Sequence, residues 1–297
     1  MRLSSEALKR CEPHFTCLSE CIGQINIFAR DAFNRQAEKR SYKGETLRAL
    51  FLYQSDRCLG AYCLLVNGLI WDAEIVLRSV YEAFAKILLI ALADPRQSEE
   101  LLREFWTELS AIYDRRGALK AEKSEEFSKQ FASEDARIFA GLRDERLFKV
   151  APTGNKKSRK EIEQRWSFAG IVEAIGKGDF GKFVGIEALS HQYGLASHLS
   201  HVSPKAFDLL EDRATRGSNK LLLEVGHTCR ICSDIVSLLA FSAHFVTKSE
   251  EISDGLAAEL KDAFDRMSQS IEADQAAFHS SQDEFYESRG RQSRMDE

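Results

Sequence analysis

The sequence predicts an all-α protein, and three observations predict it. Apolar residues recur at intervals of three and four along nearly the whole chain. No stretch shows the apolar/polar alternation of a half-buried strand. The 297 residues include only four prolines against nineteen phenylalanines, so long helices meet few breaks and have much to bury. The expected architecture is a single elongated bundle of roughly eight to ten helices. It is read as one domain over residues 1–278 with its core at 47–246, followed by a disordered polar tail at 279–297.

Each element has its own signal. Leu18, Cys21, Ile22, Ile25 and Phe28 set a first helix reaching about Arg35, and "SYKGE" from Ser41 breaks the pattern. Leu47, Leu50, Phe51, Leu59, Tyr62, Leu65 and Val66 mark a second helix, closed at Asn67-Gly68. The third starts at once near Leu69–Trp71 and stops at Asp94-Pro95, so helices two and three are expected to be antiparallel neighbours. Leu101, Leu102, Phe105, Leu109 and Ile112 give a fourth face over Ser98–Tyr113, and Arg115–Arg146 reads as a charged, exposed excursion. Lys149–Lys160 combines turn residues with a basic cluster and is expected to be a mobile loop, so the whole excursion spans about 115–160.

Helical spacing resumes over Trp166–Ile175, and Gly176–Gly185 is a glycine-punctuated link. Ile186–His201 is a further helix stopped by Ser203-Pro204, and Pro204 starts a short helix to Arg213. Leu221–Val246 is long and apolar, hence central. Leu256, Leu260, Phe264, Met267 and Ile271 form an amphipathic C-terminal helix.

The formal net charge of −5 and the pI of about 5.9 argue against a general nucleic-acid-coating protein, while leaving room for a local basic site. Seven scattered cysteines, an odd number, suit buried thiols in a reducing compartment. The opening "MRLSSEALKR" has no apolar signal core, and Ile75–Ala93 and Ile231–Val246 are charged or too short for a bilayer span. The expectation is a cytoplasmic protein without a membrane partner.

The most informative stretch is "LRSVYEAFAKILLIALA", Leu77–Ala93. It is nearly all apolar, yet Glu74, Arg78, Glu82 and Lys86 recur every four residues. Such positions share a helix face and drift by about 40° per step. Arg78 can pair with either glutamate. The row is either a salt-bridged solvent face or one wall of a polar cleft, because a helix buried all round carries charges only for pairing or chemistry. A second row, Tyr193, Ser197 and His201, spaced by four in "YGLASHLSHVSP", puts a phenol, a hydroxyl and an imidazole on one side of another helix. Imidazole titrates nearest neutrality and suits proton transfer, although a histidine at a helix end can also simply cap it.

"GLIWDAEIVLRSVYEAFAKI" resembles the signature of a bacterial all-helical family, domain of unknown function 5677. The shared pattern is an acidic residue beside Ala73, then Arg78, Ser79 and Glu82, then Trp166-Ser167, then Tyr193, Ser197, His201 and Ser203. The resemblance covers about Leu47 to Arg213. More distantly it is similar to the HEPN superfamily, whose bundles dimerise and cleave RNA with an Arg and a His on one helix; this chain places Arg78 and His201 on different helices. What the resemblance implies is a HEPN-like core and a metal-independent ribonuclease of a toxin or phage-defence system, acting on RNA as a homodimer or with a partner protein encoded nearby. Arg78, His201 and Glu82 would be catalytic. Glu74, Tyr193, Ser197, Lys156 and Lys157 would bind or orient substrate. Two alternatives stand beside it: a non-enzymatic interaction or scaffold protein whose Arg/Glu/His cluster is structural, and a nucleotide or small-molecule sensor.

Other constellations are weaker. In "GHTCRIC", His227, Cys229 and Cys232 lack a complementary pair to complete four zinc ligands and read as buried thiols, so no metal site is assigned. No Glu-x-x-His pair suggests a di-iron centre. "GKGDFGKFVG" lacks the ending and the strand of a phosphate loop, so no cofactor is expected.

Overall fold

The computed structural model describes residues 2–35, 41–142, 156–180, 183, 185–201, 203–249 and 256–293. The helices run in the order α1 (Ser5–Arg35), α2 (Tyr42–Val66), α3 (Ile70–Leu92), α4 (Pro95–Arg103), α5 (Ser110–Gln130), α6 (Asp135–Leu142), α7 (Lys156–Arg165), α8 (Phe168–Lys177), α9 (Leu189–Ser200), α10 (Pro204–Thr215), α11 (Lys220–Ser249) and α12 (Ala258–Ser293), with no strand among the described residues. The all-α expectation holds. Where the sequence reading has one domain, the contacts divide the chain into two compact units, residues 1–92 with 183–297, and residues 93–182.

In the first unit α11 is central, packing against α1, α2, α3 and α12. It is the one helix among the described residues long and apolar enough to cross a membrane, and most of its apolar window is buried by these neighbours. Helices α2 and α3 are antiparallel: Gln54 donates to the Val80 carbonyl and Lys43 to that of Ala91, so partners climb α3 as they descend α2. The turn between them works as the Asn-Gly pair suggests. Gly68 has φ +73°, and the Gly68 and Leu69 amides return to the carbonyls of Leu65 and Leu64 at 2.8 Å.

Local capping corrects the sequence reading at Ser41. "SYKGE" starts a helix rather than breaking one, because the Ser41 hydroxyl accepts from the Gly44 amide at 2.9 Å and leaves Tyr42 as the first helical residue. Ser4 caps α1 likewise, accepting from Ala7 while donating to Glu224 of α11 at 2.7 Å. At the other end α12 runs on to Ser293, well past His279, where a disordered tail was expected.

The second unit has its own anchor. α4 opens with a capping box between Asp94 and Gln97, and a π-helical turn over Glu104–Leu109 joins it to α5. Glu104 is buried and accepts from the Trp166 indole and from Arg165, both at 2.8 Å, while Phe105 stacks on Trp166 at 5.0 Å. The Trp166-Ser167 pair is therefore structural here, since Ser167 also caps α8 through the Gly170 amide. Of the expected mobile loop Lys149–Lys160, residues 149–155 lie outside the described residues, and Lys156, Lys157, Arg159 and Lys160 sit on α7. Residues 143–146 of the charged excursion are likewise outside them. The chain re-enters the first unit at Phe183, whose ring is met by Phe84, Phe241 and Phe245, each at 5.8 Å.

Candidate functional site

α3 packs against α9, and their polar rows meet. Arg78 is the hub. Its Nε is shared between Glu82 Oε1 at 3.2 Å and the Tyr193 hydroxyl at 3.3 Å, and Nη2 donates to that hydroxyl at 3.1 Å. Nη1 donates to Ser200 Oγ at 2.9 Å and to His201 Nε2 at 2.8 Å. A guanidinium can only donate, so Nε2 of His201 is the acceptor and the ring proton sits on Nδ1. These bonds leave one of the five N–H groups, on Nη2, without an acceptor among the described residues. The side chain of Arg78 is 25% exposed and His201 is exposed, so the cluster borders solvent.

Tyr193 holds the hub from below. Its hydroxyl donates to Glu82 Oε1 at 2.9 Å, and its ring lies 5.2 Å from the guanidinium carbon. Burial, then the neighbouring Glu82 charge, push the phenol above its ordinary pKa, so it stays a donor. Glu82 and Tyr193 thus aim the fork of Arg78, and its outer edge faces His201. The histidine occupies the C-terminal end of α9, where its amide bonds the Ser197 carbonyl at 3.1 Å; its ring serves Arg78 rather than the helix end.

Four members of the expected set go elsewhere. Glu74 does not join Arg78. It is 1% exposed and pairs with Arg230 of α11, which also holds Asp234 at 2.7 Å, and Asp234 accepts from the Tyr81 hydroxyl at 2.7 Å. The 40° drift per step explains this: from Glu74 to Glu82 the row turns by about 80°, enough to pass from α11 to α9. Ser197 gives its carbonyl rather than its hydroxyl, accepting from Ser200 Oγ at 2.9 Å. Ser200 was missed, yet it lies seven residues after Tyr193, within about 20° of it around the helix, closer than His201. Lys156 and Lys157 belong to the other unit.

A separate cavity of about 790 Å³ opens between α9, α10, α11 and α12, with His191, His198, Lys205, Arg216 and His227 in its lining. Arg216 is held there by Asp212 at 2.8 Å, and His227 lies between Trp71 and Phe278.

Among known proteins, no curated relative and no solved structure matches the chain. The model of a family of unknown function (DUF5677) matches residues 45–217, more than half of the chain, from α2 through the Arg78, Tyr193 and His201 positions to the end of α10. The chain belongs to that family.

Proposed function

We propose that the Arg78–His201 cluster binds a backbone phosphate of RNA and cleaves the adjacent bond without a metal ion. The observation that carries this reading is the 2.8 Å bond between Arg78 Nη1 and His201 Nε2 at a solvent-bordered edge, which sets a phosphate-matching fork beside a proton acceptor. An arriving phosphate oxygen takes over the Nη1 and Nη2 donors and frees Nε2. The 2′-hydroxyl proton then passes to Nε2, the 2′-oxygen bonds to phosphorus, the bond to the 5′-oxygen breaks, and that oxygen takes a proton from solvent. Arg78 stabilises the added charge on the phosphoryl oxygens. Glu82 and Tyr193 act as positioning residues, and a homodimer is the assembly we propose for the acting species.

The test incubates the full-length protein with single-stranded RNA in the presence of a chelator. We expect products with 2′,3′-cyclic phosphate ends, no cleavage of RNA deoxygenated at the 2′ position, and losses of about 100-fold or more in folded Arg78→Ala and His201→Ala. Intact RNA under these conditions overturns the reading. The cavity favours a second one, a sensor for a nucleotide or another polar small molecule. In that case nucleotides raise the melting temperature of the wild type, Lys205→Ala removes the effect, and RNA is left uncut.

A further inference from the structure

His14 of α1, Cys229 of α11 and Asp274 of α12 bring their ligand atoms within 4.8 Å of one another in the interior of the first unit. His14 is 5% exposed, Cys229 is fully buried, and the Asp274 side chain is 13% exposed. From this geometry we infer that the three residues form a zinc site that ties α1, α11 and α12 together.

The surroundings are arranged as outer-shell partners of a metal site are. The Nδ1 atom of His14 meets Ser270 Oγ at 2.9 Å, which orients the ring and turns Nε2 toward Asp274. Asp274 takes Arg10 on Oδ1, through Nε at 2.8 Å, which leaves Oδ2 facing His14 Nε2 at 2.8 Å. His14 and Asp274 are thus each steered by the far atom while the near atom points into the shared space. A tetrahedral zinc with bonds of about 2.0–2.1 Å to nitrogen and oxygen holds such atoms about 3.4 Å apart. The His14–Asp274 gap needs to widen by about 0.6 Å, within reach of side-chain rotation. Imidazole, carboxylate and thiolate together suit zinc rather than magnesium or calcium, which favour oxygen alone. Binding displaces the thiol proton of Cys229 to solvent as the zinc–sulfur bond forms, and the Nε2 proton that His14 gives to Asp274 is exchanged through solvent for one on Nδ1, where Ser270 Oγ accepts it. The three residues leave the fourth position of a tetrahedral zinc to a water molecule. The alternative is a plain His–Asp hydrogen bond with Cys229 packed beside it as a buried thiol.

This set differs from His227, Cys229 and Cys232, which the sequence reading set aside as a zinc site. Cys229 is shared, but His227 faces the ring of Phe278, and the partners of Cys229 arrive from two other helices.

The test uses full-length protein under reducing conditions. We expect zinc near one equivalent per chain by mass spectrometry after expression with zinc. After demetallation, we expect cobalt to produce the visible bands of a tetrahedral site and thiolate-to-cobalt charge transfer in the near ultraviolet. Cys229→Ser and His14→Ala should lose at least tenfold in metal affinity, and Cys232→Ser should bind as the wild type does. Because His14→Ala can perturb packing, the near-isosteric Asp274→Asn is read alongside, with circular dichroism to confirm folding; it too should weaken cobalt. Folded wild type that takes up neither metal overturns the site, as does cobalt charge transfer that survives Cys229→Ser. The readouts are independent of RNA cleavage, so either proposal can fail without the other.

Discussion

Two arginine clusters share helix α3 and differ in one respect, access to water. Around Arg230, the carboxylate of Glu74 is 1% exposed and Tyr81 is fully buried, while the side chains of Arg230 and Asp234 are 18% and 22% exposed. Around Arg78, the partners Glu82, Tyr193, Ser200 and His201 lie at an edge, with Glu82 35% exposed. The inner cluster has to keep its charges paired, because Glu74 left without Arg230 cannot be rescued by solvent, although Arg230 Nε itself makes no hydrogen bond among the described residues. At the edge cluster the spare donor borders water, where a ligand can reach it. A structural ion pair and the edge cluster we propose as a binding site thus share one four-residue repeat, separated by how far the helix has turned.

The largest expected effect comes from breaking the inner cluster. Arg230→Ala strands Glu74 and Asp234 and is expected to cost about 3–5 kcal/mol in urea unfolding. Arg78→Ala, at the solvent edge, is expected to cost about 1 kcal/mol or less while removing activity. Equal costs would make the two clusters the same kind of object. A smaller contrast uses the two phenols. Tyr81→Phe leaves Asp234 with Arg230 but without its hydroxyl donor and is expected to cost about 1–2 kcal/mol, and Tyr193→Phe under about 1 kcal/mol.

Acid adds a signed test. Burial raises the carboxyl of Asp234 above its usual 3.8, against the pull of Arg230. In the window from 3.8 up to its folded value, the folded state binds more protons than the unfolded chain, so this group's contribution to stability falls as pH rises. Asp234→Asn should flatten that part of the stability profile, and a profile unchanged by the substitution would remove the group from the account. The smallest effect is expected on α7. Lys156→Ala with Lys157→Ala should change stability by no more than about 0.5 kcal/mol, since Lys157 is solvent-facing and its 3.9 Å pair with Glu161 is weak. Any fall in RNA affinity in that variant assigns the α7 lysines to substrate.

The helices were legible because their signals are local. The periodicity at Leu47–Val66, the Asn67-Gly68 stop and the Asp94-Pro95 break are each written within a few residues. The meeting of Arg78 with His201 was legible for a related reason: two polar rows on apolar helices have few places to go. What escaped depends on details that spacing alone does not carry. Ser41 reads as part of a break until its hydroxyl is seen on the Gly44 amide. Glu74 belongs to the Arg78 row by spacing and to Arg230 by its direction around the helix. The division into two units was hidden because the segment 93–182 has the same helical texture as its surroundings.

That insertion bears on how the molecule folds. Arg78 and His201 are 123 positions apart in the chain, and their contact forms only when the ends of the long excursion between Leu92 and Phe183 come together. Closing a flexible loop costs entropy that grows with the logarithm of its length, so cutting the excursion tenfold would recover about 2 kcal/mol for the α3–α9 pairing. Contacts this distant tend to assemble late. The three rings around Phe183 mark where the excursion rejoins the first unit, and a newly made chain would acquire its Arg78–His201 edge only after that seat is filled.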